Sequence, residues 1–228
     1  MTSFLPGFFP PGAAGDWSPQ LSVVATDDSS SNLDEYTFAG VDFGEAATNR
    51  LLIIAVAGGS TSTAIPLSSI TIGGVSATIH VQSDQSGNTR NGHVGIASAT
   101  VPTGTSGTIV VTWNGGFGGT MVDMAFALYR VTGLLSTTPT DTVSDSGASP
   151  SLLIDRASNG FIVGAASAAS GTVVTWPSPM VSDIQSQTDG TFDCLAHTPV
   201  TLGAVTSFEA APSTDGASPS RWAAASWA

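Results

Sequence analysis

The residues able to do nucleophilic, acid–base or metal chemistry in this chain are few and scattered. There are three histidines, His80, His93 and His197, and one cysteine, Cys194. A nucleophilic triad needs a serine or cysteine with a base beside it, and no Gly-x-Ser-x-Gly elbow occurs to present one. His80 and His93 flank a polar stretch and can approach across a hairpin, but a zinc site takes three or four ligands and no third stands in pattern. A single cysteine permits neither an intrachain disulfide nor a thiolate cluster. It reads as a small buried residue on a strand from Thr191 to Ala196. Glycoside hydrolysis by a sandwich-fold hydrolase would need two carboxyl groups about 5–10 Å apart, and Glu35, Glu45 and Glu209 share no spacing that brings two together. Acids do gather in two stretches, Asp27, Asp28, Asp34 and Glu35, and then Asp141, Asp145 and Asp155. Neither matches the EF-hand loop. No catalytic residue, no metal site and no cofactor are therefore expected, with structural calcium in these acidic loops as the alternative.

Binding chemistry has better candidates. Trp113 and Asn114 stand at the mouth of a glycine-rich loop, and Trp176 precedes Pro177. Exposed tryptophan faces stack on sugar rings while amides bond sugar hydroxyls, so Trp113, Asn114 and Trp176 are the candidate glycan contacts. The competing reading is that both tryptophans fill the core, which large aromatics dominate in sandwiches.

Charge narrows the partners. The chain carries a net charge of −12, and its five basic residues, Arg50, Arg90, Arg130, Arg156 and Arg221, are dispersed. Nucleic-acid binding needs clustered cations to displace phosphate counterions, and anionic membrane surfaces ask for the same. Both are excluded as expectations. Charged residues make up 10% of the chain, against roughly 25% in an average domain. Serine, threonine, glycine and alanine replace them, as in strands that turn small hydroxyl residues outward and aliphatics inward. No stretch of 18 apolar residues escapes turn formers, and the first residues lack the basic start of a secretory signal. A protein of this kind working outside a cell would leave by lysis or within an assembled particle.

The elements that must position these residues are strands. Residues 1–16 form an arm in which Pro6, Pro10 and Pro11 deny helix and central strand alike. Leu5, Phe8 and Phe9, with Pro10 and Pro11, make it an extended apolar segment that seeks a groove on its own domain, a sister subunit or another partner. Residues 17–228 read as one all-β domain, an antiparallel β-sandwich. Arg50–Ala57 is hydrophobic enough for a strand buried on both faces. Gly73 and Gly74 suit a tight hairpin returning through Val75–Gln82. Met121–Thr132 reads as strand, and Leu134–Pro150 as either a long loop or a linker. Gly107–Trp113 echoes Gly171–Trp176, which is taken as two strands meeting similar demands and not as a duplication.

Three blocks carry a family resemblance: RLLIIAVAGG from Arg50, SSITIGGVSATIH from Ser68, and VPTGTSGTIVVTW from Val101 followed by MAFALYRVTGL from Met121. Together with the closing SRWAAASWA from Ser220, they resemble a jelly-roll-like surface module of bacterial surface proteins and of structural proteins of tailed phages and gene transfer agents. The resemblance implies a non-enzymatic virion surface protein, a head decoration, spike or tail component. Its arm would bind a capsid or tail protein, and its sandwich would form a homo-oligomer or meet a cell-surface glycan. It carries over no functional residues.

Overall fold

The computed structural model describes residues 19–60, 65–83, 91–114, 120–146, 153–169, 174–188, 191–200, 204–214 and 220–228. The arm residues Leu5, Phe8, Phe9, Pro10 and Pro11 lie outside them. Every named element is a strand. The first nine are β1 (Gln20–Ser29), β2 (Glu35–Asp42), β3 (Leu51–Ser60), β4 (Leu67–Ile72), β5 (Val75–Ser76), β6 (Thr78–Ser83), β7 (Asn91–Thr100), β8 (Ser106–Trp113) and β9 (Met124–Thr132). The second nine are β10 (Asp141–Ser146), β11 (Leu153–Arg156), β12 (Phe161–Ala169), β13 (Val174–Thr175), β14 (Val181–Thr188), β15 (Thr191–His197), β16 (Val205–Glu209), β17 (Ser213–Thr214) and β18 (Ser220–Trp227).

The sheets are antiparallel and stack as sandwiches, but in more than two layers. One five-stranded sheet runs β1-β9-β3-β7-β6 and another runs β10-β18-β12-β15-β14. These two pack face to face through Leu51, Ile53, Val94, Ile96, Tyr129, Phe161, Leu195 and Trp227. The first is covered on its other side by β2-β8-β4-β5, with Leu52, Ile54 and Val56 reaching Tyr36, Ile70 and Trp113. The second is covered by two short ribbons, β11-β16 and β13-β17, over Ile162, Ala166, Trp176 and Trp222. Both central sheets therefore have two buried faces. That is why β3 is buried at all ten positions and reads as a continuous apolar run, where a half-exposed antiparallel strand would alternate.

The two halves share one topology. Replacing β1, β9, β3, β7 and β6 by β10, β18, β12, β15 and β14 reproduces the order of the central sheet. The covering strands follow: β2-β8 corresponds to β11-β16, and β4-β8 to β13-β17. The match extends to a defect. The edge strand β6 slips register on β7 between Ile79 and Val81, and β14 slips on β15 between Ser182 and Ile184. With Ser98 aligned on His197, the two bulges fall at the same place. A β-bulge is a specified feature of a strand, not noise, so its recurrence marks a repeated structural plan. The antiparallel β-sandwich expected for the chain is therefore present, and it is built of two halves of one plan that the sequence alone does not show as a repeat. The echo between Gly107–Trp113 and Gly171–Trp176 is nonetheless not its trace, because β8 corresponds to β16 and β17 while β13 corresponds to β4.

Local chemistry explains the elements. Gly73 and Gly74 both adopt positive φ, +61° and +80°, the conformation a two-residue hairpin turn demands and only glycine takes freely. The return strand then divides: β5 stays on β4, while β6 crosses to β7. The segment Leu134–Pro150 is both linker and strand. Gly133–Thr140 joins the units, and Asp141–Ser146 is β10, paired with β18. Arg50 is wholly buried and fastens the turns below β3. Its guanidinium donates to the carbonyls of Phe43, Gly44, Val101, Thr103 and Gly104 at 2.7–3.2 Å, which occupies the whole donor fork.

Candidate functional site

The titratable residues that the sequence scatters are gathered by the fold into the seam between the two units. One cluster lies where β3 ends and β7, β9 and β15 begin. The Asp123 carboxylate accepts the Gly59 amide at 2.5 Å and the Thr191 hydroxyl. The Ser167 hydroxyl of β12 crosses to the Gly58 carbonyl of β3 at 3.1 Å. Asp193 is buried beside them. Burial, then the nearby charges of Asp123 and Asp28, push its carboxyl well above the usual carboxylate range. Sheets approach closely here because glycines allow it: a Cβ on Gly92 would stand 2.6 Å from the Ser167 carbonyl oxygen.

The same cluster holds a pair with the form of a nucleophile and base. Ser60 Oγ lies 2.8 Å from His93 Nε2, within the distance a serine–histidine pair requires. Both residues are fully buried. Burial, and then the Arg221 charge, lower the His93 pKa to about 4, far below the near-neutral value that suits a general base. His93 Nδ1 finds no orienting acceptor among the described residues. The pair is a hydrogen bond of the seam, without the access or third member that nucleophilic chemistry needs.

A second cluster lies near the opposite end. Tyr129 Oη donates to Asp183 Oδ2 at 2.8 Å, and His197 Nδ1 bonds Asp183 at 2.8 Å. Tyr129 is buried, and desolvation followed by the Asp183 charge raises its phenol well above the ordinary value. Across the pseudo-twofold axis, His80 Nε2 bonds Ser98 Oγ at 2.8 Å. Two further bonds repeat in the same sense. Ser83 Oγ donates to the Asp145 carbonyl at 3.1 Å, and its counterpart Ser186 Oγ donates to Asp28 Oδ2 at 2.6 Å. Two copies of one surface meeting in this reciprocal way have the geometry of an isologous dimer interface, here within a single chain.

The residues singled out from the sequence fall elsewhere. Trp113 is 2% exposed and Trp176 7%, so neither ring offers a face to a sugar, and that assignment is corrected to core packing. Trp113 edges against His93, and Trp176 Nε1 donates to Cys194 Sγ at 2.9 Å. Asn114 is exposed, and its backbone N–H donates to the Pro66 carbonyl. Cys194 is buried, and burial pushes its thiol up. Glu35 opens β2, Glu45 stands in the turn below it, and Glu209 ends β16 on the outer ribbon, so no two form a carboxylate pair. Among the described residues no three His, Cys, Asp or Glu side chains converge as metal ligands. The expected loop acids instead hold backbone: Asp141 accepts the amides of Thr142 and Asp155, and Asp155 that of Ser207.

The sequence carries one signal for the seam. Hydroxyl, imidazole and carboxyl residues interrupt otherwise apolar strands at Ser60, His93, Ser167 and Asp193, where an interior position with a polar side chain needs a partner. Comparison with family models, with curated proteins and with solved structures finds no match to this chain.

Proposed function

We propose that this chain is a non-enzymatic display module on the surface of a phage or phage-like particle, held to a capsid or tail protein through its N-terminal arm. The observation that carries the reading is the polarity of the stack. Strand β1 begins at Gln20 opposite Thr132, and β18 ends at Trp227 opposite Phe161. Chain before β1 and chain after β18 therefore join at one end. A body tethered where β1 begins and β18 ends leaves the opposite end of the stack, where β3 ends and β7 begins, free for presentation.

Two features support the same reading. Doubly buried sheets make a stiff body, and the groups able to do acid–base chemistry are used to bind one unit to the other. The arm's sequence suits an anchor, since Leu5, Phe8 and Phe9 are apolar and Pro10 and Pro11 lack backbone donors.

The test follows the protein through a density gradient. The full chain and a chain lacking residues 1–16 are each produced in cells that assemble particles. The full chain is expected to sediment with the particles, and the shortened chain to stay folded at the top. A full chain absent from the particles, or equal attachment of the shortened one, overturns the proposal.

A further inference from the structure

The duplicated units differ where their bulged edge strands face the neighbouring unit. In the second unit the bulge residue, Asp183, is saturated: Tyr129 and His197 both bond its carboxylate. In the first unit the bulge residue is His80, and its only hydrogen bond among the described residues is from Nε2 to Ser98. Its ring stands edge-on to Trp227, 5.8 Å between centroids, and Nδ1 is left without a described partner. Beside it the surface is hollow. Two adjoining cavities of about 240 and 330 Å³ both take His80 and Thr138 as walls.

The chemistry of these walls is unusual in being hydroxylic and neutral. The first hollow is bounded by Ser76, Thr78, Ser98, Thr100 and Thr137. The second continues over Thr138, Thr140, Asp141 and Thr142. Burial lowers the pKa of His80, so at neutral pH the ring is an uncharged donor–acceptor. No lysine or arginine lines either hollow, which disfavours phosphate, sulfate and carboxylate ligands. A single acid, Asp141, lines the two hollows, where a hard cation takes about six or more oxygen ligands with several carboxylates among them, which disfavours a cation. What remains is a ligand that is neutral and rich in hydroxyls.

We infer that the groove between β6 and residues Thr137–Thr142 is a saccharide-binding site with His80 at its centre. A sugar hydroxyl bonds the free ring nitrogen of His80, and further hydroxyls exchange bonds with the threonines. The site is formed by one unit's edge strand and the connection between units. The inference is independent of the display reading, because it concerns a groove near the tethered end and not the arm.

Saturation-transfer NMR on the full chain, with a panel of methyl glycosides of glucose, galactose, mannose, rhamnose and N-acetylglucosamine at millimolar concentration, tests it. At least one glycoside is expected to receive saturation and to shift the His80 ring resonances. Loss of one hydrogen bond should weaken that binding about fivefold in His80→Ala and again in Thr138→Val. Thermal unfolding confirms that each variant is folded, and Thr138→Val changes only a surface hydroxyl. No transfer to any glycoside, or transfer unchanged in both variants, overturns the inference.

Discussion

His80 and Asp183 occupy the same position in the two halves of the chain, each the extra residue of a bulge in an edge strand that faces the opposite unit. Their partners are equivalent too, Ser98 on β7 and His197 on β15. The bulge and its cross-strand bond are common to both units, while the residue types have exchanged roles. Asp183 has in addition the buried hydroxyl of Tyr129. Tyr129→Phe removes a donor from a carboxylate at the seam, and bonds to charged groups contribute about 1.5–3 kcal/mol. Chemical denaturation of this variant should show a loss in that range, and Ser98→Ala, beside the half-buried His80, should lose less. Equal losses would contradict the asymmetry.

The glycines of the seam set how close the sheets come. Gly92→Ala places a methyl group 2.6 Å from a backbone oxygen of β12, an atom that moves only if the strand moves. Overpacking of this kind typically costs about 1–3 kcal/mol. The midpoint of urea unfolding should fall accordingly, and an unchanged midpoint would mean that the units are not pressed together at Gly92.

Stability should depend on pH through two groups of opposite sign. The folded pKa of His93 is about 4, below the roughly 6.5 of an unfolded histidine. The unfolded chain takes the proton first, so the contribution of neutral His93 is complete above about pH 6.5. It is lost as pH falls toward 4, about 3 kcal/mol in all. The Asp193 pKa is raised by burial and neighbouring acids, so the folded chain keeps a proton that the unfolded chain gives up. Its contribution is complete at low pH and lost as pH rises through the folded pKa. From about pH 4 upward the two slopes oppose each other. Unfolding measured between about pH 4 and 6.5 should therefore vary less with pH than in Asp193→Asn, where only the rise with pH given by His93 remains. An equal dependence in the two proteins would assign the compensation elsewhere.

Neither unit should stand alone. Residues 19–132 without the second half would expose Leu51, Ile53, Val94, Ile96, Tyr129 and Val131, which form one continuous apolar face of β3, β7 and β9. A patch of that extent on a free surface leads to association. The fragment is expected to aggregate or bind a hydrophobic dye, and co-expression with residues 133–228 is expected to restore a soluble complex. A soluble, monomeric fragment would contradict the shared core.

Arg50 offers a test of a buried cation that needs no carboxylate. Arg50→Met keeps bulk but leaves five carbonyls without a donor. Since an unsatisfied buried group costs about 1–3 kcal/mol, the variant should lose at least about 3 kcal/mol on thermal or chemical unfolding. Arg50→Lys should recover only part, having three donors instead of a planar fork.

The strands were legible because their signals are local. The run at Arg50–Ala57, the paired glycines at 73 and 74, and the alternation in Tyr36–Phe43 each follow from side-chain size and backbone freedom. The duplication was not legible, since β3 and β12 answer the same demands with different residues. Asn49–Ala55 set over Asn159–Ala165 keeps only Asn and Ala in common. Burial on both faces accepts any small or aliphatic residue, so pattern persists while identity is lost. Trp113 and Trp176 were ambiguous for a related reason: a tryptophan at a strand end serves a core or a ligand equally well, and only the sheet above it decides. The seam clusters depend on pairs far apart in sequence, such as Asp123 with Thr191, which no spacing rule brings together.

The display reading fixes an orientation, and orientation is directly measurable. Leu33 is exposed at the end of the stack facing away from the tether, and Leu135 is exposed beside the C-terminal strand at the tethered end. Single variants Leu33→Cys and Leu135→Cys can be labelled with a maleimide, free and bound to particles, while buried Cys194 stays silent. The account predicts that the cysteine at 33 labels equally fast in both states and that the one at 135 is protected on the particle. Protection at 33 with free labelling at 135 would contradict it.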